Sequence, residues 1–532
     1  MEGLLLVNGK IVTMDDKERV YEAVYVDNGI IAFLGTTAEA CERYKGANTI
    51  DLNNSAVLPG FFESHIHLLE MSRTLVEFDM KSIMSKNEFY DKFKKYLDTN
   101  KASGWILGAG WNEMQIFNGV MPTKEHIECV EMDRPVCLVR QDGHSLLLNT
   151  KAMELLELNN YKELLSNEIA PRDSKGNFNG MFYEDWVFKI MGMIVKLLPE
   201  EYVISAIKKG NDALVSNGIT SINDIMTQYP HMYKLYKKLE TDNILKVRIN
   251  CGPLGKSKEC GEFMSLEQDH MVKLGPVKYF MDGSFGSKTA LLFEPYEGEE
   301  KNTGIQMIKN EELYNIIENS LKNNIQVSIH AIGDKAVSII LDEYEKAFEK
   351  YPNNGVRNRV EHIQLIRDED IIRFKKLGII ASFQPVFNME GELTLDRIGI
   401  GRIKDSYRFK SFIDRGVKVI FNADCPFGGG VMRKRNGDKF ISFEPLLGMY
   451  CAASNMNLNK NEILTVKEAV ECYTKNPAYA NFKENSLGTL EVGKLGDMVV
   501  LGENPLEVKP ENLKDIDILY TIVNGKIVYR NS

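Results

Sequence analysis

The chemistry legible in this chain rests on four histidines and one aspartate. His65 and His67 flank Ile66, and an i, i+2 spacing on an extended strand turns both imidazoles to one face. His330 closes the apolar run Gln326-Val327-Ser328-Ile329-His330, His362 closes Arg359-Val360-Glu361-His362, and Asp424 closes the run from Val417. Neutral imidazoles and a carboxylate brought to one place suit a borderline divalent cation. Ligand type favours Zn²⁺, as one or two ions, and also allows Mn²⁺ or Fe²⁺. A lone histidine is ordinarily a packed or surface residue, but here four of the chain's eight end strands. A metal so held lowers the pKa of bound water toward ~7 and polarises a carbonyl. Asp424 is then the candidate base for that water's proton.

Lys278 belongs to the same group. Period-2 alternation in Val277-Lys278-Tyr279-Phe280-Met281-Asp282 places Lys278, Phe280 and Asp282 on one face. Burial there depresses an amine's pKa. Two uses are then open: a neutral amine that captures carbon dioxide as a carbamate and bridges metals, or an ion pair with a carboxylate such as Asp282.

Short strands alternating with amphipathic helices must position these residues. Strands are expected at Ala56–Phe61, Ile219–Asp224, Val247–Cys251, Val277–Asp282, Gln326–His330, Arg359–His362, Ile379–Gln384 and Val417–Asp424, with helices such as Glu311–Asn323 and Ala336–Lys350 between them. Alternation of this kind implies a parallel sheet in an α/β protein. Eight strands are the number that closes a (β/α)₈ TIM barrel, whose active sites lie at the carboxyl ends of its strands. Residues about 70–215 then form a large insertion after the first strand. The hexapeptide Val7-Asn8-Gly9-Lys10-Ile11-Val12 returns as Val523-Asn524-Gly525-Lys526-Ile527-Val528, each a strand, an Asn-Gly turn and a strand. Both chain ends are therefore expected to form one composite β-sandwich, residues 1–58 with 484–532, around a barrel domain at 59–483.

Bulk properties agree with a multidomain protein that acts on small molecules. At 532 residues the chain exceeds one compact core, and 44% hydrophobic with 26% charged residues is ordinary globular usage. A net charge of −10 gives no field attractive to nucleic acid or an anionic membrane, so small molecules are the expected partners; a homodimer is compatible with all of this. No basic segment followed by an apolar core opens the chain, and no run has the length of a membrane span. Eight scattered cysteines without a C-x-x-C pair read as free thiols, and a cytoplasmic location is expected.

The motifs resemble the amidohydrolase superfamily. Pro59-Gly60-Phe61-Phe62-Glu63-Ser64-His65-Ile66-His67 is similar to its first-strand signature, His330 and His362 to its fifth- and sixth-strand ligands, and Asp424 to its eighth-strand aspartate. Met281-Asp282-Gly283-Ser284-Phe285-Gly286-Ser287-Lys288-Thr289-Ala290, His330-Ala331-Ile332-Gly333-Asp334-Lys335-Ala336 and Gln141-Asp142-Gly143-His144-Ser145 narrow the likeness to amidohydrolase family 3, which includes YtcJ-like proteins and formamide deformylases. The resemblance implies metal ligands at His65, His67, Lys278 (carboxylated), His330, His362 and Asp424, with Trp111, His144 and Asp282 toward the substrate. It implies hydrolysis of a linear amide or similar C–N bond. Ester or cyclic-amide hydrolysis on the same ligands is the alternative, followed by a non-catalytic regulatory protein, which would ordinarily have lost ligands that are present here. Two positions depart from the family pattern: Glu63 stands for an aspartate and Lys288 for an arginine.

Weaker signals complete the reading. Gly108-Ala109-Gly110 has no third glycine in place for a dinucleotide. Phe427-Gly428-Gly429-Gly430 is a loop fit to cover the site, and Arg433-Lys434-Arg435 is read as a solvated face. His126, His231 and His270 receive no role.

Overall fold

The computed structural model describes residues 3–100, 104–140, 145–166, 169–183, 185–227, 230–255, 271–352, 355–427, 433–435, 438–440 and 443–531. They form two compact units, Met1–Leu68 with Asn211–Ser532, and Leu69–Gly210.

In the first unit the site is carried by eight strands: β1 (Phe61–Ile66), β2 (Ile219–Thr227), β3 (Arg248–Pro253), β4 (Val277–Phe280), β5 (Val327–Ala331), β6 (Arg359–His362), β7 (Ile380–Phe383) and β8 (Val419–Phe421). Strands β1 to β3, with Val272–Leu274 beyond β3, make one parallel sheet, and β4 to β8 make another. Parallel bridges join the two sheets at Leu254↔Lys278 and Ile66↔Cys425. Most of these strands are buried throughout, as parallel strands covered on both faces are. Helices pack outside them. Asn310–Asn323 buries Leu313, Ile317 and Leu321 along one stripe, and Asp368–Leu377 stops at Gly378, whose φ of +64° takes the left-handed C-cap conformation.

The first strand differs from the expected Ala56–Phe61. The chain divides at Gly60. Ala56–Pro59 pairs with Lys10–Val12 and Met498–Leu501 in a six-stranded sheet, and Phe61–Ile66 pairs with β2. A Cβ on Gly60 would lie 2.3 Å from the Thr220 side chain, so close passage beside β2 requires glycine there.

That sheet runs Lys526–Arg530, Ile518–Val523, Met498–Leu501, Ala56–Pro59, Lys10–Val12, Val20–Tyr21, and so interleaves both ends of the chain. A four-stranded sheet runs Ile30–Gly35, Ala23–Asp27, Leu4–Val7, Asn48–Asp51. Leu6, Val24, Ile11, Val57, Met498 and Ile522 from the two sheets share one apolar cluster. The repeated hexapeptide has two topologies. Asn524 and Gly525, with φ of +52° and +67°, close a hairpin in which Val523 pairs with Lys526. After Asn8, at φ +54°, the chain instead passes from one sheet to the other. Arg248, at the start of β3, clamps Asp497 at 2.6 and 3.0 Å and ties this region to the parallel strands.

The second unit has a five-stranded sheet, Met181–Tyr183, Ser145–Leu148, Val136–Arg140, Ile106–Trp111, Phe78–Asp79. Phe78, Phe89, Phe93, Ile106 and Leu138 build its core. Among the described residues no helix is long and apolar enough to cross a membrane. All seven cysteines found among them are free thiols.

Candidate metal centre

His65 lies in β1 and His67 just past it, where the His67 N–H donates to the Cys425 carbonyl at 2.9 Å. The Asp424 N–H donates back to the His65 carbonyl at 3.0 Å, so these backbone bonds set three site residues side by side. His330 stands near the end of β5 and His362 ends β6. Alternation would send Glu361 and His362 to opposite faces. A φ of +79° at His362 breaks it, and both consecutive side chains reach the cluster. Asp424 also takes a left-handed backbone, φ +53°. Such conformations cost on the order of 1–3 kcal/mol each and concentrate at functional sites.

The imidazoles form a chain. Ring centroids are 5.4 Å apart for His67 and His65, 5.4 Å for His65 and His362, and 4.3 Å for His362 and His330. Their partners fix the tautomers. His67 Nδ1 donates to the Ile225 carbonyl at 2.9 Å and His330 Nε2 to the Gly283 carbonyl at 2.9 Å, since a carbonyl only accepts. His65 Nδ1 donates to Glu361 Oε2 at 3.0 Å. His362 Nδ1 donates to Gln384 Oε1 at 2.9 Å, with the amide's orientation set by its own bond to Asn422 Oδ1 at 2.7 Å.

His65 Nε2 and His67 Nε2 both face Asp424 Oδ1, at 3.3 and 3.0 Å, and the His67 contact is a hydrogen bond. Burial disfavours the protonated form of three of the rings: it pushes His65 down to about 4, His330 to about 3 and His362 well below its ordinary value, with Lys278 or a neighbouring imidazole adding to the effect. Burial alone would raise the Asp424 carboxyl, but His65, the His67 hydrogen bond and His362 outweigh it and hold it below its usual range. Two imidazole nitrogens and a carboxylate oxygen thus converge as candidate ligands. His65, His67 and Asp424 offer ligand atoms within 4.8 Å of one another, and this donor set fits a borderline divalent metal.

Lys278 is 1% exposed, and burial pushes its amine down to about 8. Its Nζ lies 5.0 Å from the Phe280 ring centroid, and that ring is 5.2 Å from His330. Asp282 is spent on backbone: its oxygens accept from the amides of Leu291, Ile332 and Gly333 at 2.9–3.0 Å, which braces the loop after His330. It stands 3.5 Å from His330 Nε2. Trp111 is built into the core of the second unit, 1% exposed, its indole N–H donating to the Leu138 carbonyl at 2.9 Å. His144, His270 and Gly428–Gly430 lie outside the described residues, and Arg433–Arg435 is a short strand paired with Asp438–Phe440. Phe427 meets His67 edge-on at 4.8 Å and is largely exposed.

The two departures from the family pattern have separate places. Glu63 is fully buried, its Oε1 accepting from the His65 amide at 3.3 Å and the Ala423 amide at 3.0 Å, so it ties together the backbones that carry His65 and Asp424. Lys288 pairs with Glu299 at 2.5 Å. His126 accepts from the Thr123 amide, and His231 opens the helix His231–Thr241. Sequence reasoning passed over Glu361 and Gln384. Glu361 lies one residue before His362 and Gln384 just past the end of β7, beside the strand ends that carry the site.

Comparison with known proteins agrees with this geometry. The putative amidohydrolase YtcJ of Bacillus subtilis is 28% identical over 98% of this chain and 99% of its own. N-substituted formamide deformylase of Arthrobacter pascens is 23% identical over 100% and 99%. The crystal structure of an uncharacterised metal-dependent hydrolase from Pyrococcus furiosus superposes with a TM-score of 0.80 at 26% identity, covering 95% of this chain and 100% of that one. A model of the amidohydrolase family matches residues 48–529. This chain belongs to the amidohydrolase family.

Proposed function

We propose that the protein hydrolyses a C–N bond of a small molecule, an amide of the N-formyl or N-acyl kind, at a divalent metal held by His65, His67, His330, His362, Asp424 and a carboxylated Lys278. The convergence of His65 Nε2 and His67 Nε2 on the Asp424 carboxylate carries this reading. The bond class draws on the likeness to N-substituted formamide deformylase. Zn²⁺ suits the ligands best, as one or two ions. We further propose that β1 to β8 close as a (β/α)₈ barrel, supported by the bridges at Leu254↔Lys278 and Ile66↔Cys425, and that the interleaved terminal strands make a composite β-sandwich.

When bound, such a cation supplies a water acidified toward pKa ~7 and a polarised carbonyl. Asp424 is ionised at neutral pH and takes the proton of the attacking water. It then hands that proton to the departing nitrogen, which leaves as a neutral amine. Burial disfavours the protonated forms of His65, His330 and His362, so these imidazoles serve as neutral donors, each oriented by its outward N–H bond to Glu361, Gly283 or Gln384.

The test is a screen of N-formyl and N-acyl compounds with the zinc-loaded protein, with and without chelator. Chelator-sensitive release of an amine is expected. Turnover that survives complete metal removal, or none on any member of a broad panel, would overturn the reading.

A further inference from the structure

The four site imidazoles differ in what holds the nitrogen turned away from the cluster. His67 and His330 use backbone carbonyls and His362 uses the Gln384 amide, all uncharged. The outward nitrogen of His65 instead donates to a carboxylate, Glu361 Oε2 at 3.0 Å. Glu361 is fully buried. Its other oxygen, Oε1, accepts from Ser328 Oγ at 2.6 Å and from Arg359 Nε at 2.8 Å. Arg359 is equally buried, and its Nη2 donates to the carbonyl of Ser64, the residue before His65, at 2.8 Å.

A fully buried ion pair contributes little net stability, because desolvation of both charges offsets their attraction. Stability therefore does not account for this one. Its geometry does something specific: Arg359 keeps Glu361 anionic and orients it, and Glu361 in turn grips one imidazole edge while Arg359 steadies the backbone beside the same histidine.

We propose that the Arg359–Glu361 pair is a positioning device for His65. It fixes the Nδ1–H tautomer, aims Nε2 at the cluster and makes that nitrogen a stronger donor. Metal affinity at this site is then set in part by residues that never touch the metal, as outer carboxylates do for metal-bound histidines. The proposal rests on the metal reading above.

The experiment measures Zn²⁺ affinity by competition with a chromophoric chelator, and the Co²⁺ absorption spectrum, on metal-free full-length protein. Glu361→Gln keeps size but not charge. It is expected to bind Zn²⁺ roughly 10–100-fold more weakly, with a shifted cobalt spectrum and an unchanged far-ultraviolet dichroism spectrum. Glu361→Asp, which keeps the charge, should bind more tightly than Glu361→Gln. Ser328→Ala removes one bond to Glu361 and should give a smaller loss of the same kind, readable even if Glu361→Gln does not fold. A folded Glu361→Gln protein with wild-type Zn²⁺ affinity and cobalt spectrum overturns this proposal alone. A wild-type protein that takes up neither ion overturns the metal reading and this proposal with it.

Discussion

Asp424→Asn separates the catalytic from the electrostatic role of the cluster. Asparagine matches aspartate in size, so packing is kept, but its amide cannot take a proton from water. General-base catalysis is worth roughly 10²–10⁴-fold, so kcat should fall by that factor, a barrier increase of about 3–5 kcal/mol. The metal-free protein should lose stability as well. There the Asp424 carboxylate accepts from His67 Nε2 at 3.0 Å and lies 3.3 Å from His65 Nε2. Asparagine keeps the size but gives up that charge-assisted hydrogen bond, which predicts a loss of about 1–3 kcal/mol in unfolding free energy after chelation. The assays are steady-state turnover with metal content checked by plasma mass spectrometry, and urea unfolding of chelated proteins. A variant within tenfold of wild-type kcat would remove Asp424 from proton transfer. A metal-free variant as stable as metal-free wild type would refute the His67–Asp424 hydrogen bond.

Three further outcomes follow from the structure. Lys278, pushed down to about 8 by burial, is the neutral amine above that value and loses this form about tenfold per pH unit below it. Bicarbonate-dependent reactivation of decarbonated, metal-free protein should therefore accelerate as pH rises from 6 toward 8 and then level; a rate independent of pH and bicarbonate would remove the carbamate. Asp497→Ala leaves Arg248 buried without its carboxylate and should cost about 3–5 kcal/mol in denaturant unfolding, whereas Arg248→Met with Asp497→Leu should be nearly neutral. Gly60→Ala places a methyl 2.3 Å from Thr220 and should cost about 1–3 kcal/mol, part of it recovered by Thr220→Ala in the same chain; equal costs with and without the second change would deny the contact.

The cluster of histidines and Asp424 was legible because strand geometry constrains it locally. His65 and His67 share a face through a two-residue period, and His330, His362 and Asp424 each close a strand-like run, so type and position alone single them out. The helices at Asn310–Asn323 and Asp334–Lys350 were legible for the same kind of reason, a continuous apolar stripe. What escaped depends on contacts across the chain. Glu361 and Gln384 gain meaning from meeting His65 and His362, 296 and 22 residues away. Asp282 lies just past β4, and its oxygens are taken by the amides of Leu291, Ile332 and Gly333. The break at Gly60 and the divergent paths of the Asn-Gly repeats are likewise decided by which strand lies alongside, information that a hexapeptide does not hold.

The most direct measurement is the metal-to-protein ratio of the purified protein, by plasma mass spectrometry, beside a His65→Asn, His67→Asn double variant shown to be folded by circular dichroism. The wild type should carry one to two equivalents of zinc, manganese or iron, lose activity on chelation and regain it on adding back Zn²⁺ or Mn²⁺, while the variant carries almost none. A wild type without metal that takes none up from solution, or a folded double variant that retains the full complement, would contradict a metal centre at the ends of β1 and β8.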